Sequence, residues 1–84
     1  MTTLENQFLD AMFTEAYGGT LFTADIQPSG MASNQKSGVV SSLVQKNLIT
    51  VDEEYGQIGI VVKDDEPIYE ISREDVMVLR ERAQ

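Results

Sequence analysis

The sequence contains no cysteine, no histidine and no tryptophan. Without cysteine there is no disulfide, thiolate nucleophile or thiolate metal site, and without histidine there is no imidazole base or ligand. The commonest catalytic and zinc chemistries are excluded by composition alone, and we expect neither an enzyme nor a cofactor. Cations are also scarce: six Lys and Arg stand against fourteen Asp and Glu, giving a net charge of −8. Nucleic-acid-binding domains usually have the opposite, basic balance. Proline occurs only twice, and no Pro/Gly-rich linker, repeat or low-complexity tract divides the chain. The longest apolar run, Ile58 to Val62 with Gly59 inside it, falls far short of the ~20 residues of a membrane span. The N-terminus has no basic start followed by an apolar block. These absences predict a cytoplasmic protein without membrane contact.

What is present is enough for a small globular unit. The chain has 84 residues, of which 42% are hydrophobic, so we expect a single domain over residues 1–84 with a thin core. The charge is unevenly distributed. From Ile26 to Val51 there are two lysines, Lys36 and Lys46, and no acid, so this segment is +2 while the rest carries −10, fourteen acids against four bases.

Periodicity gives the elements. Thr2 and Glu5 have capping-box spacing, and Leu4, Phe8, Leu9, Met12, Phe13 and Ala16 follow a period near 3.6, predicting a helix from about Thr3 to Tyr17 closed by Gly18-Gly19. Thr20 to Phe22 reads as a stub of strand. Thr23 is placed to cap a short helix over Ala24 to Gln27, with a turn at Pro28-Ser29-Gly30. Ser33 is placed to cap a third helix running to Lys46, with Val39, Val40, Leu43 and Val44 inward, a close contact at Gly38, and Asn47 as a left-handed C-cap. The period then changes to two. Leu48 to Val51 and Gln57 to Val62 read as a hairpin across Glu53-Glu54-Tyr55-Gly56, with a bulge or close approach at Gly59. After a polar loop over residues 63–67, a strand is expected over Ile68 to Ile71. Ser72 with Asp75, and Ile71 with Val76, then mark the start of a helix over about 73–82. The expected core is Phe8, Met12, Leu21, Ile26, Val40, Leu43, Leu48, Ile49, Ile60 and Ile71.

The run Gly38-Val39-Val40-Ser41-Ser42-Leu43-Val44-Gln45-Lys46-Asn47-Leu48-Ile49 resembles the end of a recognition helix entering the first wing strand in MarR-like and phage-encoded winged helix-turn-helix domains. The resemblance covers roughly Leu4 to Ile71. It implies an α+β fold, a three-helix unit with a β-hairpin wing and a C-terminal helix, in a phage or prokaryotic transcription regulator that reads the DNA major groove with helix 33–46. It places Ser33, Asn34, Gln35, Lys36, Ser37 and Ser41 toward the groove of double-stranded DNA and Lys46 nearer the backbone. Ser, Asn, Gln and Lys are side chains that pair with base edges or phosphates. The wing departs from the pattern: its tip, Asp52-Glu53-Glu54-Tyr55-Gly56, is acidic where such wings usually carry Arg or Lys, and carboxylates repel a phosphate backbone. The alternative is an acidic protein-interaction module or inhibitor of the same shape that binds a basic protein or imitates nucleic-acid charge.

Other chemistry fails on spacing. Asp52 to Lys63 places glycine and the final ligand wrongly for an EF-hand calcium loop. Asp64-Asp65-Glu66 is read as a solvated loop rather than a magnesium site. Gly18-Gly19 lacks the Lys-Ser or Lys-Thr of a phosphate loop, and the lone Ser33-x-x-Lys36 lies in a chain far smaller than the folds that use that motif. The run Val76 to Leu79 exceeds what one helical stripe can bury, which predicts exposed apolar surface and a homodimer through the C-terminal helix.

Overall fold

The computed structural model describes residues 1–64 and 66–83. Three α-helices, α1 (Thr3–Glu15), α2 (Ser33–Gln45) and α3 (Arg73–Ala83), accompany four strands, β1 (Leu21–Phe22), β2 (Ile49–Val51), β3 (Gln57–Lys63) and β4 (Glu66–Ile68). The class is α+β. β3 is the spine of the antiparallel sheet: β2 pairs with it through Ile49–Ile60 and Val51–Ile58, β1 through Leu21–Ile58 and β4 through Ile60–Ile68. Among the described residues no helix is long and apolar enough to cross a membrane.

The core unites one stripe from each helix with the strands. Phe8, Leu9 and Met12 of α1, Val39 and Leu43 of α2, and Val76 and Leu79 of α3 pack with Leu21, Ile49, Ile58, Ile60 and Ile71. Nine of the ten expected core residues are buried, and Val40 is not: it is half-buried, and Val39 takes the inward position. Of the four positions expected inward, Val39 and Leu43 are buried, Val40 is half-buried and Val44 is exposed, so the buried stripe of α2 is narrower than expected.

Each helix start has a local cause. The Thr2 hydroxyl accepts the Glu5 N–H at 3.1 Å and the Glu5 carboxylate accepts the Thr2 N–H at 2.8 Å, a complete capping box. Ser72 and Asp75 repeat the arrangement at α3, at 3.2 and 3.0 Å. α2 differs from expectation, because its cap position is Ala32 and Ser33 is its first helical residue. Gln35 Oε1 accepts the Ala32 N–H at 2.9 Å, so a single side chain serves that end.

Four expectations shift. α1 stops at Glu15 rather than Tyr17: Ala16 leaves the helix in an extended conformation, and its side chain is buried in the core. Gly18 and Gly19 then bridge to Ile71 through bonds of 2.8 and 2.9 Å instead of closing the helix. The short second helix is a single 3₁₀ turn, Thr23–Asp25, without a side-chain cap; Pro28 follows closely and disfavours helix in the residue before it. β4 lies at Glu66–Ile68, earlier than expected, and Ile71 contributes only the isolated bridge to Gly19. β3 runs on to Lys63 and Glu66 opens β4, so the polar loop is shorter than expected; Asp65 lies outside the described residues.

The glycine expectations divide. A Cβ on Gly59 would lie 2.6 Å from Thr50 Oγ1 and 2.8 Å from the Tyr69 ring, so the sheet needs glycine there, as expected. Gly38 has no neighbour within 4 Å of a Cβ, so the expected close contact is not made.

Candidate nucleic-acid interface

The candidate site is built on α2, which is fixed at its C-terminal end by two devices. Asn47 adopts a left-handed conformation, φ 59°. Its N–H donates to Val44 O at 3.0 Å and the Leu48 N–H donates to Leu43 O at 3.1 Å, the paired bonds of a Schellman motif. Buried Leu48 and Leu43 join the core beneath it. The chain leaves this cap directly into β2, so the helix and the hairpin are set by one turn.

The second device is Glu5, the one charged side chain among the buried residues, 1% exposed. Its carboxylate accepts bonds from Lys46 Nζ at 2.8 and 2.9 Å and from the Ser42 hydroxyl at 2.9 Å, besides the Thr2 N–H. Burial pushes this carboxyl up; the Lys46 ammonium, the Thr2 backbone and the Ser42 hydroxyl outweigh it and bring the pKa down to about 2. The start of α1 is thereby tied to the last turns of α2. Sequence reasoning assigned Glu5 only to the helix cap, because nothing in local spacing shows that its second oxygen faces a residue 41 positions away.

Around this anchor the expected site residues fall on two overlapping surfaces of α2 and in two holding contacts. Asn34, Ser37, Gly38, Ser41 and Gln45, at intervals of three and four, form a fully exposed stripe on the outer side of α2. Ser33, Lys36, Ser37 and Ser41 border a groove of about 620 Å³ whose apolar lining is Met31, Val40, Val44 and Val51. The 3₁₀ turn also lines it through Thr23 and Ala24, and the hairpin tip through Glu53. Gln35 is turned to the Ala32 cap, and Lys46 is held on Glu5. The structure therefore brings five of the seven together at the exposed side of α2 and uses two in holding the helix. The apolar lining was missed; its sequence signal is the i, i+4 pair Val40 and Val44 on a helix already supplied with an inward stripe.

The hairpin tip is built from its own acids. Asp52 Oδ2 accepts the Tyr55 N–H at 2.9 Å, and the Gly56 N–H donates to Asp52 O at 2.8 Å. Gly56 (φ +73°) lies against the 3₁₀ turn: its carbonyl accepts the Thr23 N–H at 2.8 Å, and a Cβ there would lie 2.7 Å from Thr23 Oγ1. Glu53, Glu54 and Tyr55 are exposed.

The remaining cations are mostly engaged within the fold. Arg73 lies 5.4 Å above the Phe13 ring and reaches Thr14 O, Arg80 pairs with Asp10, and Arg82 donates to Asn47 O at 3.0 Å. Lys36 is the cation α2 offers at its exposed side. Among the described residues no group of three or more acids converges as metal ligands. No protein-family model matches the sequence, and neither curated proteins nor solved structures give a significant match.

Proposed function

We propose that the chain is a small winged-helix protein that binds double-stranded DNA through α2 and acts in transcription regulation. The observation that carries this reading is the uncharged outer stripe Asn34, Ser37, Gly38, Ser41 and Gln45, exposed along its whole length in a chain of net charge −8. Its side chains are small or amide-bearing, which allows close approach to base edges and supplies donors and acceptors for them. The element order supports the same reading: a helix, a short strand, a helical turn, a second helix and a hairpin, with β3 between β1 and β2. The 3₁₀ turn stands where a winged helix has its second helix.

The cation inventory makes this a weakly salt-dependent contact. Lys46 is committed to Glu5, so Lys36 is the side chain of α2 left for a phosphate. Each neutralised phosphate contributes ~0.9 to the salt slope. Titration of random duplex DNA at ~50 mM salt, where phosphate contacts are least screened, tests the proposal. Lys36→Gln should lower the magnitude of the slope by ~0.9 while Lys46→Gln leaves it unchanged. Replacing Asp52, Glu53 and Glu54 by their amides should strengthen binding. Undetectable binding at that salt rejects the reading.

The acidic hairpin tip favours a second reading, an interaction module for a basic protein. The same triple replacement would then slow association with that partner, since complementary charge acts chiefly on the on-rate.

A further inference from the structure

We propose that the groove between α2, the 3₁₀ turn and the hairpin tip is a docking site for a basic amphipathic helix of another protein. The site shares Ser37 and Ser41 with the outer stripe of α2, but its other lining residues include Thr23 and Ala24 of the 3₁₀ turn and Val51 and Glu53 of the hairpin, and the inference does not depend on DNA binding.

The apolar part of the argument is the pair Val40 and Val44, one helical turn apart, with Met31 and Val51 beside them. Val44 is 42% exposed although the core beneath α2 is already filled by Val39 and Leu43. Met31, Val40 and Val51 pack only in part against the core and Val44 is exposed; a half-covered apolar lining gathered in one concavity is what a helix-in-groove contact covers.

Charge complementarity selects the occupant. Glu53 lines the groove, with Glu54 exposed next to it. Gln27 borders both this groove and an adjoining hollow of about 510 Å³ lined by Asp10, Glu15 and Asp25. Arg80 answers Asp10, and Glu15 and Asp25 are exposed. One carboxylate thus lines the groove and others stand in the hollow beside it. An amphipathic helix with an aliphatic face flanked by Lys or Arg fits this lining, and the whole-molecule charge of −8 would steer it in. Lys36 sits on the groove wall and would donate to polar groups along the helix flank.

The test uses a fluorescein-labelled helix of leucine and lysine about four turns long, with two controls in which serine replaces leucine or glutamate replaces lysine. Anisotropy should show the leucine–lysine helix binding and both controls at least about tenfold weaker, the scale of one buried aliphatic side chain. Val44→Ser, at a position too exposed to threaten folding, should weaken binding about tenfold. Glu53→Gln combined with Asp25→Asn should weaken it and flatten its salt dependence. Asn34→Ala, on the outer stripe, should leave peptide affinity unchanged while weakening DNA. The proposal is overturned if the serine–lysine helix binds as well as the leucine–lysine one, since attraction would then be bulk charge. It is equally overturned if Val44→Ser has no effect, or if Asn34→Ala acts as strongly as Val44→Ser. Loss of DNA binding alone would reject the DNA reading and leave this one standing.

Discussion

At the scale of single residues, Glu5 shows how much one buried carboxylate controls. Its oxygens satisfy a helix cap, a hydroxyl and an ammonium, and no buried side-chain polar atom among the described residues lacks a partner. Because its folded pKa is depressed from 4.5 to about 2, the stabilisation is present above the unfolded value and is lost as pH falls toward 2. The size is on the order of 3 kcal/mol. Lys46→Met removes the counter-charge and leaves the carboxylate buried beside an alkyl chain, which costs far more than an exposed pair would. Urea unfolding at pH 7 should show a loss of ~2–3 kcal/mol, and the gap between wild type and variant should narrow as pH is lowered from 4.5 to 2. An equal gap throughout that range would show that Lys46 acts by packing alone.

At the scale of elements, α2 yields two opposite predictions. Leu43 is fully buried and forms part of both the core and the Schellman cap. Leu43→Ala should cost ~2–5 kcal/mol and move the urea midpoint accordingly. Gly38 lies on the same helix but meets nothing within 4 Å. Gly38→Ala should therefore stabilise by up to ~1 kcal/mol, the intrinsic difference between the two residues in a helix, seen as a higher Tm. If the added methyl also weakens duplex binding, close approach at the outer stripe matters to function; unchanged binding would show that it does not. The hairpin tip carries its acids for a partly local reason, since Asp52 closes the turn on Tyr55 while Glu53 and Glu54 are left exposed.

At the scale of the whole molecule, the exposed apolar surface and the spent cations decide what the protein can do. Met77 and Val78 remain 53% and 47% exposed on α3 while Val76 and Leu79 are buried, as the four-residue apolar run required. A homodimer through α3 would cover them and double the few contacts proposed between α2 and DNA. Light scattering at tens of micromolar should then give about twice the 9.3 kDa of one chain, and Met77→Ser should return the monomer mass; a monomer mass for the wild type rejects the dimer. The three arginines of α3 hold α1 and the end of α2, so their contribution is to the fold and not to a phosphate-binding face.

The sequence by itself determined the order of the elements, both capping boxes, the left-handed Asn47, the hairpin and nearly all of the expected core. Each depends on residues at most a few positions apart, and local spacing encodes helix caps, turn residues and period. It placed the final strand late and made a helix of the 3₁₀ turn, because the bridge between Gly19 and Ile71 and the packing of Thr23 on Gly56 join distant segments. The tertiary structure alone decided that only Val39 and Leu43 of the expected α2 stripe are buried and that Val44 is exposed. It also decided the capture of Lys46 by Glu5 and the meeting of Val40 and Val44 with Met31, Val51 and Glu53 in one groove. These outcomes depend on how α1 and the hairpin pack against α2, and packing partners are selected by shape and charge across dozens of residues, where periodicity carries no information.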